Sequence, residues 1–166
     1  MSIETIKKEV LELLFAVYLE QHGTGLCDIT ELITRNGKKP EEVGPYLFKN
    51  GWIKNMRTKG GRLEAALDIA GIVEINPVYL KRNFIRIMSA LGQLNGAKAS
   101  LMNILGLDQK SAQLAFDLGR YMSSTGYVNA KFSASDVSVL LNPLGMEYYE
   151  EHKAQILQEN REGDKA

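Results

Sequence analysis

Cysteine is nearly absent from this chain. Cys27 is alone among 166 residues, so no disulfide can close within it, and a reducing, cytoplasmic setting is expected. An excess of charge of either sign is also lacking: Lys plus Arg number 20 and Asp plus Glu 20. The balance holds locally, with ten basic and eleven acidic side chains in residues 1–80 and ten and nine in residues 81–166. A strong global field for nucleic acid is therefore excluded, and any electrostatic site must be local. No apolar run approaches the roughly 18 residues a membrane span needs. The opening MSIETIKKEVLELL reads as a helix start and not as a secretion signal.

Catalytic residue types are scarce as well. The two histidines, His22 and His152, have no metal-like spacing to Cys27. Gly23-Thr24-Gly25 lacks the Gly-Lys-Ser/Thr continuation of a phosphate loop. Glu150-Glu151 has no partner constellation and reads as a solvated helix face. No enzymatic role, metal or cofactor is expected. Nothing basic adjoins Cys27 to activate its thiol, so it is expected to fill a small buried space.

What is present is a repeat. KNGWIKNMRTKGGRLEAALDIAGIVEI and SSTGYVNAKFSASDVSVLLNPLGMEYY share two signatures. Each opens with Gly, an aromatic and a β-branched residue, Gly51-Trp52-Ile53 and Gly126-Tyr127-Val128. Each closes with Leu, three residues and Gly, from Leu67 to Gly71 and from Leu141 to Gly145. The shared position of Trp52 and Tyr127 argues for core anchors over base-stacking platforms.

Before each segment lies helical periodicity. Ile6, Val10, Leu13, Leu14, Val17 and Tyr18 form one buried stripe; Phe84, Ile87, Met88 and Leu91 form another. A short second helix follows. Asp28 and Glu31 suggest a capping box in the first copy, with a stop at Asn36-Gly37. Its counterpart is expected over about 97–105, stopping near Gly106. A third helix starts at Pro40, with Glu41 and Glu42 in its first turn. Gly44-Pro45 is expected to break it midway. In the second copy Asp108 is expected to cap a helix burying Ala112, Leu114, Ala115, Leu118 and Met122.

Hairpins complete each copy. Gly60-Gly61 suits a tight turn, and the return strand alternates Leu63, Ala65, Leu67 and Ile69. In the second, Val128, Ala130 and Phe132 alternate outward and Val137, Val139 and Leu141 alternate back. The expected class is mainly α with small β-hairpins. Asn76-Pro77 marks the join, giving domains over 1–76 and 77–157 and a polar, frayed tail over 158–166.

Helix, helix, turn, helix, hairpin is an order that resembles the winged helix-turn-helix superfamily, twice over. The ending VLLNPLGMEYYEEHKAQIL is similar to the wing strand and following helix of bacterial winged-helix transcription regulators. The resemblance implies that the third helix enters the major groove and that the wing touches the backbone of double-stranded DNA. On this reading Lys54, Arg57, Lys59 and Arg62 hold phosphates, and Lys38, Lys39 and Lys49 assist from the third helix. The second copy offers Gln109, Lys110, Gln113 and Arg120, offset by Asp108 and Asp117, and its wing tip FSASD is nearly neutral.

The resemblance equally allows a protein-interaction adaptor, which the balanced charge favours. Met146, Tyr149, Ile156 and Leu157 could pair with another subunit, as in a homodimer, or fold back on their own domain. Exposed hairpins also carry Lys and Arg simply for solubility and to block edge pairing.

Overall fold

Gly71 and Gly145, the residues that end the two shared signatures, explain them. A Cβ on Gly71 would collide with the carbonyl oxygen of Trp52 and with the side chain of Leu67. A Cβ on Gly145 would meet the carbonyl oxygen of Tyr127 and the side chain of Leu141. In each copy, a helix after the hairpin packs its glycine onto the backbone where the hairpin begins. Leu67 and Leu141 end their strands and the glycine four residues on lies in the helix that follows, so the Leu-x-x-x-Gly spacing spans the strand-to-helix corner.

In a computed structural model describing residues 2–164, the chain divides into two compact units, one ending at Pro77 and one beginning at Val78. The division falls in the first turn of a helix. The first unit runs α1 (Ile3–Glu20), β1 (Cys27–Asp28), α2 (Thr30–Arg35), α3 (Pro40–Lys49), β2 (Ile53–Lys59), β3 (Arg62–Leu67) and α4 (Ile69–Ile75). The second runs α5 (Pro77–Gly92), β4 (Ala99–Ser100), α6 (Leu101–Leu105), a 3-10 turn (Gln109–Ser111), α7 (Ala112–Ser124), β5 (Val128–Phe132), β6 (Val137–Leu141) and α8 (Pro143–Asp164). The architecture is mainly helical, with two small antiparallel sheets ordered β1-β3-β2 and β4-β6-β5. Among the described residues no helix is long and apolar enough to cross a membrane.

Each core is built mostly from the expected stripes, with Leu11 fully buried and Leu13, Val17 and Phe84 only half-buried. Ile6, Val10, Leu14 and Tyr18 of α1 are buried with Ile33, Leu47, Ile53 and Leu67. Ile87, Met88 and Leu91 of α5 are buried with Leu101, Leu118, Val139 and Tyr149. Removing such surface from water stabilises each unit by roughly 1.5–3 kcal/mol per large side chain.

Several expectations are corrected. Pro45 does not break α3, which continues to Lys49. The acceptor its missing donor would have used is the carbonyl of exposed Glu41, which water can serve. Residues 97–100 are not helical: Ala99 and Ser100 pair with Val139 and Ser138, and Ser100 caps α6, whose end at Gly106 is left-handed as expected. In the first unit Asp28 likewise belongs to a strand, and its Oδ1 accepts from the amide of Thr30 at 2.9 Å. Ile69 heads α4, because Asp68 turns the chain and accepts from its amide at 2.8 Å. Asp108 makes no side-chain cap; a 3-10 turn intervenes before α7.

Residues 158–164 are helical and not frayed, with Asn160 Nδ2 donating to Ser89 Oγ at 3.3 Å. Residues 165 and 166 lie outside the described residues. Of the strip expected along α8, Tyr149 and Ile156 are buried. Met146 and Leu157 are half-buried, so only part of the expected apolar strip is covered. Trp52 and Tyr127 are half-buried, so they are boundary residues and not core anchors. Cys27 is also half-buried, with its thiol pushed up by burial and by the carboxylates of Asp28 and Glu64.

Candidate nucleic-acid interface

The β2 sequence IKNMRTK has no period-two apolar pattern, and its pairing with β3 shows why. Ile53 pairs with Leu67 and Lys54 with Ala66; the register then shifts, and Arg57 pairs with Glu64, Thr58 with Leu63, Lys59 with Arg62. One extra residue is accommodated near Asn55, whose φ is +54°, a conformation Asn tolerates better than most side chains. Without this bulge, simple alternation from buried Ile53 would turn Arg57 and Lys59 toward the core. With it they turn outward, and Met56 turns inward against Gly44 of α3, where an added Cβ would lie 3.2 Å from its Sδ.

The bulge thus sorts charge. Cross-strand partners share a face, so Lys54, Arg57, Lys59 and Arg62 all lie on the outer face of the hairpin. Glu64 and, through its pairing with β1, Asp28 share that face. Arg57 Nε donates to Glu64 Oε1 at 3.3 Å, and Arg62 Nε stands 3.9 Å from Asp28 Oδ2. The Thr30 hydroxyl and amide hold the Asp28 carboxyl below the usual carboxylate range, so it stays charged. Gly60 and Gly61, with φ of +59° and +77°, close the hairpin in two residues, as a type I′ turn demands. They set Lys59 and Arg62 side by side at the tip. Lys59 is exposed and forms no ion pair among the described residues.

The third-helix lysines do not join this cluster as a group. Lys38 and Lys39 precede α3 and Lys49 ends it, so about 15 Å of helix separates them. The exposed face between carries Glu41, Glu42, Pro45 and Phe48, the last 53% exposed. That surface has little with which to read base edges. Trp52 is occupied: Lys7 Nζ sits 4.6 Å from its ring centre and Tyr46 packs edge-on at 5.6 Å. Lys7 also binds Glu4 and Glu74 at 2.8 Å each, joining α1 to α4.

In the second unit Gln109, Gln113 and Arg120 are committed internally. Asp117, 2% exposed, accepts from Arg120 and, at 3.0 Å, from Gln113. Gln109 donates to the carbonyl of Ser135 at 3.1 Å. Asp136 is a hub that sequence reading missed: its carboxylate accepts from the Ser100 hydroxyl and from the amides of Met102 and Val137. Burial would raise its pKa, but those donors together hold it below the usual carboxylate range. Asp136 followed by alternating apolar residues was the available signal.

No group of three or more His, Cys, Asp or Glu gathers as a metal site among the described residues. Comparison with family models, with characterised proteins and with solved structures finds no match to this chain.

Proposed function

We propose that each unit is a winged helix and that the first holds double-stranded DNA through its β2–β3 hairpin, in transcriptional regulation or a related DNA transaction. The observation that carries this reading is the bulge at Asn55, which gathers four cations on one outer hairpin face. The contacts are with phosphate, in the chemistry of Lys and Arg. Because α3 presents Glu41 and Glu42, binding is expected to depend weakly on base sequence.

Fluorescence anisotropy with a mixed-sequence duplex at about 50 and 200 mM salt tests the reading, since each phosphate contact adds close to one unit to the salt slope. Tight binding at low salt that falls steeply is the expected result. No binding at low salt removes it.

A second reading, a protein-interaction adaptor, is favoured by exposed Phe48 beside exposed Pro45 on α3. A photo-reactive residue at position 48 tests it: the adaptor requires a specific protein crosslink that Glu41→Lys abolishes and nuclease treatment leaves intact.

A further inference from the structure

The second unit contains a cleft that the hairpin reading leaves unused. It lies between α5 and α8 as two lobes of about 230 and 260 Å3, which share Lys81, Ile85 and Glu159. The first lobe adds Arg82, Arg86, Asn83 and Asn160. The second adds Phe84, Tyr148, His152 and Gln155. One lobe is therefore cationic and amide-rich, and the other is walled by rings.

The rings are pre-arranged. Tyr148 stacks on Tyr127 at 4.4 Å and on His152 at 4.2 Å, and Phe84 meets Tyr148 edge-on at 5.9 Å. His152 Nδ1 lies 2.9 Å from the carbonyl of Tyr148, which fixes the imidazole against the stack. The cations are uncommitted: Lys81, Arg82 and Arg86 are exposed, and none forms an ion pair among the described residues. Arg82 and Arg86 are one helical turn apart, so both forks can reach one anion. Buried Ile85 and Ile156 give the cleft an apolar floor.

Tyr148 is thus sandwiched between Tyr127 and His152, and the ring face left to the cleft is the outer face of His152. We infer that this cleft binds a nucleoside 5′-monophosphate, its base on the outer face of His152 and its phosphate on Lys81, Arg82 and Arg86. A flat heteroaromatic ring gains from stacking whatever its identity, and a phosphate gains most from Arg forks. Glu159 sits where the lobes meet, fixed by Gln155 Nε2 at 3.1 Å. It can accept from sugar hydroxyls, and its charge disfavours a longer phosphate chain.

The test titrates each of the four common ribonucleoside 5′-monophosphates into the whole chain by calorimetry and by amide chemical shift. Matching nucleosides and inorganic phosphate serve as controls. At least one monophosphate is expected to saturate below about 1 mM, with its nucleoside and free phosphate each at least about tenfold weaker. Arg82→Ala with Arg86→Ala should weaken it by about tenfold or more, with the helical circular dichroism retained. If that variant does not fold, the wild-type shifts decide: they must centre on residues 81–86 and 148–159. Saturation by phosphate alone, shifts elsewhere, or no saturation by any of the four overturns the assignment. So does loss of duplex DNA binding in the double variant without any monophosphate bound, which would make the face a polyanion surface. Hairpin variants should leave nucleotide affinity unchanged, so the two readings fail separately.

Discussion

The two hairpins occupy the same place in their units and differ in almost everything that faces outward. Pairing with the flanking strand places Arg62 where the second unit has Asp136, and Asp28 where it has Ser100. The cation of one hairpin is thus the anion of the other. The outer face of β2–β3 carries four cations and a bulge; that of β5–β6 carries Asn129, Lys131 and Ser138 in unbroken register. The first hairpin turns on two glycines. The second closes through residues 133–136, with Ser133 and Asp136 bonded to each other. The lesson is that the inward face repeats and the outward face diverges: packing requires the former, and function is free to use the latter.

The shared inward face gives the largest expected effect. Gly71→Ala and Gly145→Ala should each cost about 3 kcal/mol, because a methyl group meets backbone that cannot rotate away. Denaturant midpoints check this, and equal losses in the two units would confirm the equivalence. An unequal pair would break it.

Next comes the buried ion pair of the second unit. Arg120→Ala leaves the buried Asp117 carboxylate without its cation and is expected to cost about 2 kcal/mol by urea denaturation.

Asp136→Asn should cost about 1 kcal/mol at neutral pH, whereas Arg62→Ala, at the matching place, should cost less than about 0.5 kcal/mol because its pair is exposed. The pH dependence has a definite sign. The folded Asp136 carboxyl titrates below its unfolded value, so its contribution is complete above about pH 4 and disappears as pH falls through the lowered value. Wild type and Asp136→Asn should therefore converge in acid. Urea midpoints at several pH values read this out, and a gap that persists in acid would mean that the carboxylate charge is not what ties β6 to α6.

Much of the fold was legible because apolar period and glycine placement are local signals. The stripes of α1 and α5, the hairpin returns and the shared Gly71 and Gly145 were readable from spacing. Three things were not. Pro45 reads as a breaker unless it is known that the carbonyl it orphans faces water. Ser100 reads as helical until a strand forty residues later is seen to pair with it. The bulge at Asn55 decides which way Arg57 and Lys59 point, and its one local hint is an Asn in a strand with no alternation. The four hairpin cations were named from a basic stretch placed on a hairpin by resemblance; their shared face is a tertiary fact. The α5–α8 cleft depends on side chains about seventy residues apart and leaves no local trace.

The most direct test of the account compares the salt dependence of duplex DNA binding after alanine replacement at Lys59 and Arg62 with that after replacement at Lys98 and Lys131. If the first hairpin holds phosphate, the first pair lowers the slope of log affinity against log salt by close to two, and the second pair, Lys98 just before β4 and Lys131 on β5, leaves it unchanged. Equal slopes for the two variants, or an unaltered slope for the first, would contradict it.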